Sequence, residues 1–202
     1  DEYRALREIA KKCDRGDRRG AFIAATAEAY AVARDMLHNV GTPAFYRCSR
    51  DLFGGADGRL PNSDMTHLEA ADQLLASTAA LSEATREHEA DFCLTAEAVA
   101  AELREGLAEI FTAGEIEVVI DPDLSAKAAA SARRIRVRGA ACFSDMDAPQ
   151  LLQHEAFVHA ATALNGRAQP QLSCLSLSAP RTTETQEGLA TFAELVTGAM
   201  DL

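Results

Sequence analysis

Two imidazoles and a carboxylate lie within six residues, in His154-Glu155-Ala156-Phe157-Val158-His159. Neutral imidazole is a good ligand for Zn²⁺, and a catalytic zinc takes three protein ligands and keeps one position for water. The familiar zinc-peptidase pattern, HExxH, puts its histidines at i and i+4 on one helix face. Here the spacing is i and i+5. Five residues of a regular α-helix turn through about 500°, which leaves the side chains about 140° apart. Joint ligation therefore requires a locally widened helix, such as a π-bulge around Ala156 to His159. The bland alternative is two unrelated histidines on an alanine-rich helix. The chain has only five histidines, and two of them are here.

A third ligand is available in Thr185-Gln186-Glu187-Gly188-Leu189-Ala190. Thermolysin-type zinc peptidases draw a glutamate from a later helix to complete His₂Glu. Glu187 is the preferred candidate and Glu184, on the same helical face at i−3, its competitor. Glu187 could also be a first-turn glutamate stabilised by the helix dipole. Gly188, which has no Cβ, is expected to let this helix approach the first one closely. Glu155 is the candidate general base, a role that a purely structural zinc site would not need.

The surrounding elements must present these groups. The composition is that of an ordinary globular chain, and 202 residues are enough to bury a sizeable core. The first half reads as helices: Gly20–Val40, stopped by Gly41-Thr42-Pro43; Asp64 to about Ala90; and Thr95–Phe111, capped by Thr95, with Ala98, Leu103, Leu107 and Ile110 inward. Arg50–Ser63 reads as a polar loop. At Gly114 the composition changes. Glu115–Ile120 reads as a strand, Ser125–Ser131 as a small-residue connection, and Arg134–Arg138 as a half-exposed strand. A helix from about Ala148 to Leu164, closed by Asn165-Gly166, and a last helix from Thr183 to Val196 follow. The fold class is α+β, with a helical region over residues 1–113 and a catalytic core over residues 114–202.

From Arg134 to Glu194 the chain resembles a bacterial family named for its QEGLA motif, the flavohaemoglobin expression-modulating type. The shared blocks are Ala140-Ala141-Cys142-Phe143-Ser144, the HExxxH core, Leu164-Asn165-Gly166-Arg167-Ala168-Gln169-Pro170 and Gln186-Glu187-Gly188-Leu189-Ala190. That family is related to the microtubule-associated tyrosine carboxypeptidases, which remove the C-terminal tyrosine of α-tubulin. The resemblance implies a metallopeptidase-like fold and zinc held by His154, His159 and Glu187, with Glu155 as catalytic base. It also implies carboxypeptidase activity on a peptide or protein C-terminal tail. Members continue past the EGLA helix, so a truncated C-terminus is expected. Two rival readings are a non-enzymatic regulator, which the family's expression-modulating name favours, and a hydrolase of non-peptide amides.

A terminal carboxylate calls for a guanidinium. Arg134, Arg136 and Arg138 share one strand face, and Arg167 follows the metal helix. The strand arginines are either the charges of a solvated edge strand or a cationic strip beside the metal. Arg167 either orders its loop or contacts substrate. His88-Glu89 with Cys93 mimics the i, i+5 spacing but reads as solvated helix, and His38 and His67 read as capping or solvated residues near helix ends. A net charge of −11 disfavours nucleic acid and anionic membrane. No apolar run approaches the ~18 residues of a membrane span, and no signal-peptide pattern opens the chain. The five cysteines are scattered, which argues against a disulfide framework and for a reducing cytoplasm, with Cys142 and Cys174 as buried thiols.

Overall fold

Four helix starts among the described residues are set by short polar side chains that satisfy the orphan N–H groups of a first turn. Asp17 accepts from Arg19 and Gly20 to begin α2 (Arg18–His38), and Thr42 accepts from Ala44 to begin α3 (Pro43–Phe53). Thr66 and Glu69 form a reciprocal capping box at α4 (His67–Glu89), and the Thr66 N–H holds the Glu69 carboxyl below its ordinary pKa. Thr95 caps α5 (Ala96–Ala108), as expected. α1 (Glu2–Lys12) precedes them. The structure, a computed structural model, describes residues 2–89 and 93–200. The side chains of Glu2 and residues 80–89 lie outside that description, and so does the His88-Glu89 pair. Among the described residues, no helix is long and apolar enough to cross a membrane.

The chain divides into two compact units, residues up to Ala76 with Ser178–Glu184, and Ser77–Leu177 with the residues from Thr185 onward. In the first, α1, α2 and α3 pack with a 3₁₀ turn at Pro180–Thr182 around the alanines of α2. Ala24, Ala27 and Ala31 are buried at helical spacing. α3 continues to Phe53, so the loop expected from Arg50 begins instead at Gly54, where φ is +78°. The Arg50 guanidinium grips Asp57 at 2.7 and 2.9 Å, which pins that loop and lowers the Asp57 pKa.

The second unit is built on a three-stranded sheet of β1 (Glu117–Asp121), β2 (Ala128–Ser131) and β3 (Arg134–Arg138), in the order β1-β3-β2. β3 pairs parallel with β1, Val118 opposite Ile135, and antiparallel with β2, Ala130 opposite Ile135. Two expectations change here. β2 lies within the segment read as a connection, because three consecutive alanines carry little β propensity. β3 is the central strand, not an edge. Its alternation nevertheless holds: Ile135 and Val137 are fully buried and Arg134 and Arg136 face out.

α5 covers the buried face of the sheet with Ala96, Val99, Ala100, Leu103 and Leu107, an i, i+3, i+4, i+7 stripe. Ile110, expected inward, lies beyond the last helical residue and is 64% exposed. Since α5 packs on the sheet, the compact unit does not begin at residue 114; the expected boundary falls between two elements of one core.

The long helix runs from Asp147 to Arg167 as α6 (Asp147–Leu151), a π-helical segment (Leu152–Ala160) and α7 (Ala161–Arg167). Its start is fixed by the buried Asp147 carboxylate, which accepts from Ser144 N at 2.7 Å and from Lys127 Nζ at 2.8 Å. It does not close at Asn165-Gly166. Gly166 sits inside α7, where a Cβ would come within 2.4 Å of Ser176 N and 2.5 Å of Leu175 C. These are backbone atoms and cannot swing away. Gly166→Ala should therefore destabilise the fold by about 2 kcal/mol, overpacking outweighing the helix-propensity gain. The check is a lower urea midpoint with an unchanged m-value; a midpoint equal to or above wild type would show that the 3₁₀ turn at Ser173–Ser176 yields freely.

Cysteine pairing also departs from expectation. Leu94 and Phe143 exchange backbone hydrogen bonds, and the residues preceding them, Cys93 and Cys142, form a disulfide with Cα atoms 5.1 Å apart. Cys174 is an exposed free thiol. Cys142 is thus not a buried apolar thiol, and scattered unpaired cysteines no longer argue for a reducing compartment.

Candidate metal centre

The histidines are brought together by the backbone of the helix that carries them. Within Leu152–Ala160 the ladder is π-type, and at its end Ala161 N–H donates to Ala156 C=O, an i→i+5 bond. Residues five apart then lie on one face. The His154 and His159 ring centroids are 4.8 Å apart, edge to face. Room for the widened turn comes in part from Gly106 of α5, where any Cβ would meet Leu152 Cδ2 at 2.5 Å.

The third group comes from α8 (Thr183–Thr197). Glu187 Oε2 is 3.3 Å from His154 Nε2 and Glu187 Oε1 is 3.6 Å from His159 Nε2. One donor atom from each residue lies within 4.8 Å of the other two. Both histidine side chains are about four-fifths buried while Glu187 is half-exposed, so the cluster opens to solvent on the glutamate side. Two nitrogens and one carboxylate oxygen meeting in this way are a donor set suited to a divalent transition metal. Of the two glutamates weighed as ligand, Glu187 is the one that meets the imidazoles; Glu184 is exposed and outside the cluster.

Gly188 does not do what was expected of it. A Cβ there would meet nothing within 4 Å, so it faces open space. The close approach is made one turn along the other face, by fully buried Ala190 and by Glu194, which is 4% exposed. Glu194 was not singled out from the sequence. Its Oε1 lies 2.5 Å from His154 Nδ1, and its Oε2 accepts from Gln150 Nε2 at 2.8 Å. The available signal was its position: seven residues beyond Glu187, it returns to within about 20° of the same helical face.

Glu155 is half-buried beside His154 on the π-helical segment. The strand arginines are engaged on the sheet: Arg134 with Glu117 at 2.9 Å, Arg136 with Asp121 at 3.3 Å, and Arg138 donating to Ser125 C=O at 3.2 Å. Among the described residues, the exposed Arg167 guanidinium has no hydrogen-bond or ion-pair partner.

No curated protein and no solved structure gives a significant match to the chain. A family-level match does exist, and it spans the helices, the sheet and the His–Glu cluster alike. Over residues 1–202 the chain matches the microtubule-associated tyrosine carboxypeptidase family, and it belongs to that family.

Proposed function

We propose that this chain is a zinc-dependent carboxypeptidase in which His154, His159 and Glu187 hold the metal and Glu155 is the general base. The observation that carries the reading is the convergence of the two Nε2 atoms and the Glu187 carboxylate, through a π-helical turn that has no use in an ordinary helix. When bound, zinc would supply Lewis acidity, polarising a carbonyl and lowering the pKa of water toward ~7. The remaining work falls to the chain's own side chains. Glu155 accepts the proton of the attacking water and delivers it to the leaving amine. The half-exposed Glu187 side leaves a peptide tail an open approach.

Exopeptidase action needs a cation for the terminal carboxylate, and a guanidinium can bind it bidentately. Among the described residues Arg167 is left unpaired, whereas Arg134 and Arg136 are held by acidic neighbours and Arg138 by a backbone carbonyl. Arg167 follows His159 by about two helical turns on the same continuous helix. We therefore assign Arg167 to the substrate carboxylate. A peptide with a free C-terminus should be cleaved at least about 10-fold faster than its amidated twin, and Arg167→Ala should raise KM about 10-fold at little cost to kcat. Equal cleavage of the two peptides, or cleavage at internal bonds only, would make the chain an endopeptidase and return Arg167 to the solvated surface.

A further inference from the structure

We infer that Glu194 is a positioning residue for the candidate metal centre. It holds His154 through Nδ1, with Gln150 as its own anchor, so that Nε2 is the nitrogen presented to the site. The inference rests on the zinc reading above and adds a part that HExxxH and Glu187 do not contain.

The Glu194 side chain is 6% exposed, against 55% for Glu187 on the same helix. A carboxylate taken so far out of water is costly unless its oxygens are matched by donors. Among the described residues no lysine or arginine pairs with it. Its partners are one imidazole nitrogen and one side-chain amide, one to each oxygen. Gln150 and His154 are four residues apart on one helix, so a single carboxylate from α8 spans both.

An imidazole has two nitrogens, and the hydrogen bond at one decides which is free to donate its lone pair. With Glu194 Oε1 accepting from Nδ1–H, Nε2 is the nitrogen turned toward Glu187 and the His159 ring, where a bound metal would take its lone pair. A carboxylate in this place also strengthens Nε2 as an electron-pair donor, and removing such a partner costs roughly 10–100-fold in metal affinity.

α8 ends just beyond Glu194: Ala199 N–H donates to Glu194 C=O, and Gly198, at φ +72°, donates to Leu195 C=O. This is a Schellman closure. It fixes the backbone that carries the carboxylate, while Ala190 one turn earlier is fully buried against the same side. The heptad Glu187–Ala190–Glu194 is thus one surface with an outer group for the ion and an inner group for the ligand that holds it.

The test compares the purified wild-type chain with Glu194→Ala, Glu194→Gln, Gln150→Ala and His154→Ala. Zinc affinity is measured by competition with a chromophoric chelator, and the fold of each variant is followed by circular dichroism. Glu194→Ala should bind zinc about 10–100-fold more weakly. Glu194→Gln, which keeps a carbonyl acceptor for Nδ1–H, should recover a large part of that loss, and Gln150→Ala should fall between the two. In the zinc-loaded wild type, nitrogen NMR should show the remaining His154 proton on Nδ1. The Nδ1–H signal should move upfield in Glu194→Gln as the hydrogen bond weakens. If Glu194→Ala fails to fold, the isosteric glutamine variant and the tautomer carry the test. Wild-type zinc affinity in a folded Glu194→Ala, or an Nε2–H tautomer in the zinc-loaded wild type, overturns the inference. His154→Ala separates the two levels. If it loses zinc while the Glu194 variants do not, only the positioning role fails; if it keeps full affinity, the zinc reading itself fails.

Discussion

Glu155→Gln will keep its zinc and lose hydrolysis by about 10²–10⁴-fold, the range contributed by a positioned general base. The substitution preserves size and hydrogen-bonding shape and removes only the ability to take a proton. Metal should survive because the three converging donors are His154, His159 and Glu187, and Glu155 is not among them. The effect belongs in kcat, since the proton transfer occurs in the transition state and not in substrate binding. Metal analysis alongside steady-state kinetics on a free-C-terminus peptide checks both halves. Loss of zinc in the variant would make Glu155 a ligand, and unchanged hydrolysis would place the base elsewhere. A wild-type chain that binds zinc and cleaves nothing in an unbiased peptide library would favour the non-enzymatic regulator.

His154→Ala and His159→Ala will each lose most of the metal. Structural zinc sites are worth about 10–16 kcal/mol over four ligands, so one ligand accounts for ~3 kcal/mol, or about 10²-fold in affinity. Purified wild-type chain should carry about one zinc, and each variant well under half of that after dialysis against a weak chelator. The π-helical segment makes the two losses similar, because both imidazoles face one carboxylate at comparable distances, 3.3 and 3.6 Å. Full occupancy in both variants would place the metal elsewhere in the chain. Glu187→Gln is expected to be milder, since an amide oxygen can still coordinate, though without charge.

The sequence by itself carried what is local. Thr95 as a helix cap, the alternation of Ile135 and Val137 and the stop at Gly41-Thr42-Pro43 follow from short-range sterics and hydrogen bonding. Even the π-helical turn was legible, because i, i+5 spacing cannot serve one site from a regular α-helix. Whatever depended on which distant surfaces meet was decided by tertiary structure. Three alanines became β2 because β3 offered a partner, and pairing outweighed weak propensity. Arg134 and Arg136 were taken up by Glu117 and Asp121 because β1 lies beside β3 in parallel, which no pattern within Arg134–Arg138 could disclose. Gly188 looked like the point of helix contact and faces open space, whereas Gly166 looked like a stop signal and is the point of contact. A glycine marks only the absence of a Cβ, and the packing partner decides what that absence is for. Cys93 and Cys142, separated by 49 residues, pair because Leu94 and Phe143 form a backbone bridge. Glu194 reads as one acidic residue among 31 until α8 docks. Its burial against His154 and Gln150 is a property of the interface between two helices, and neither helix carries it alone.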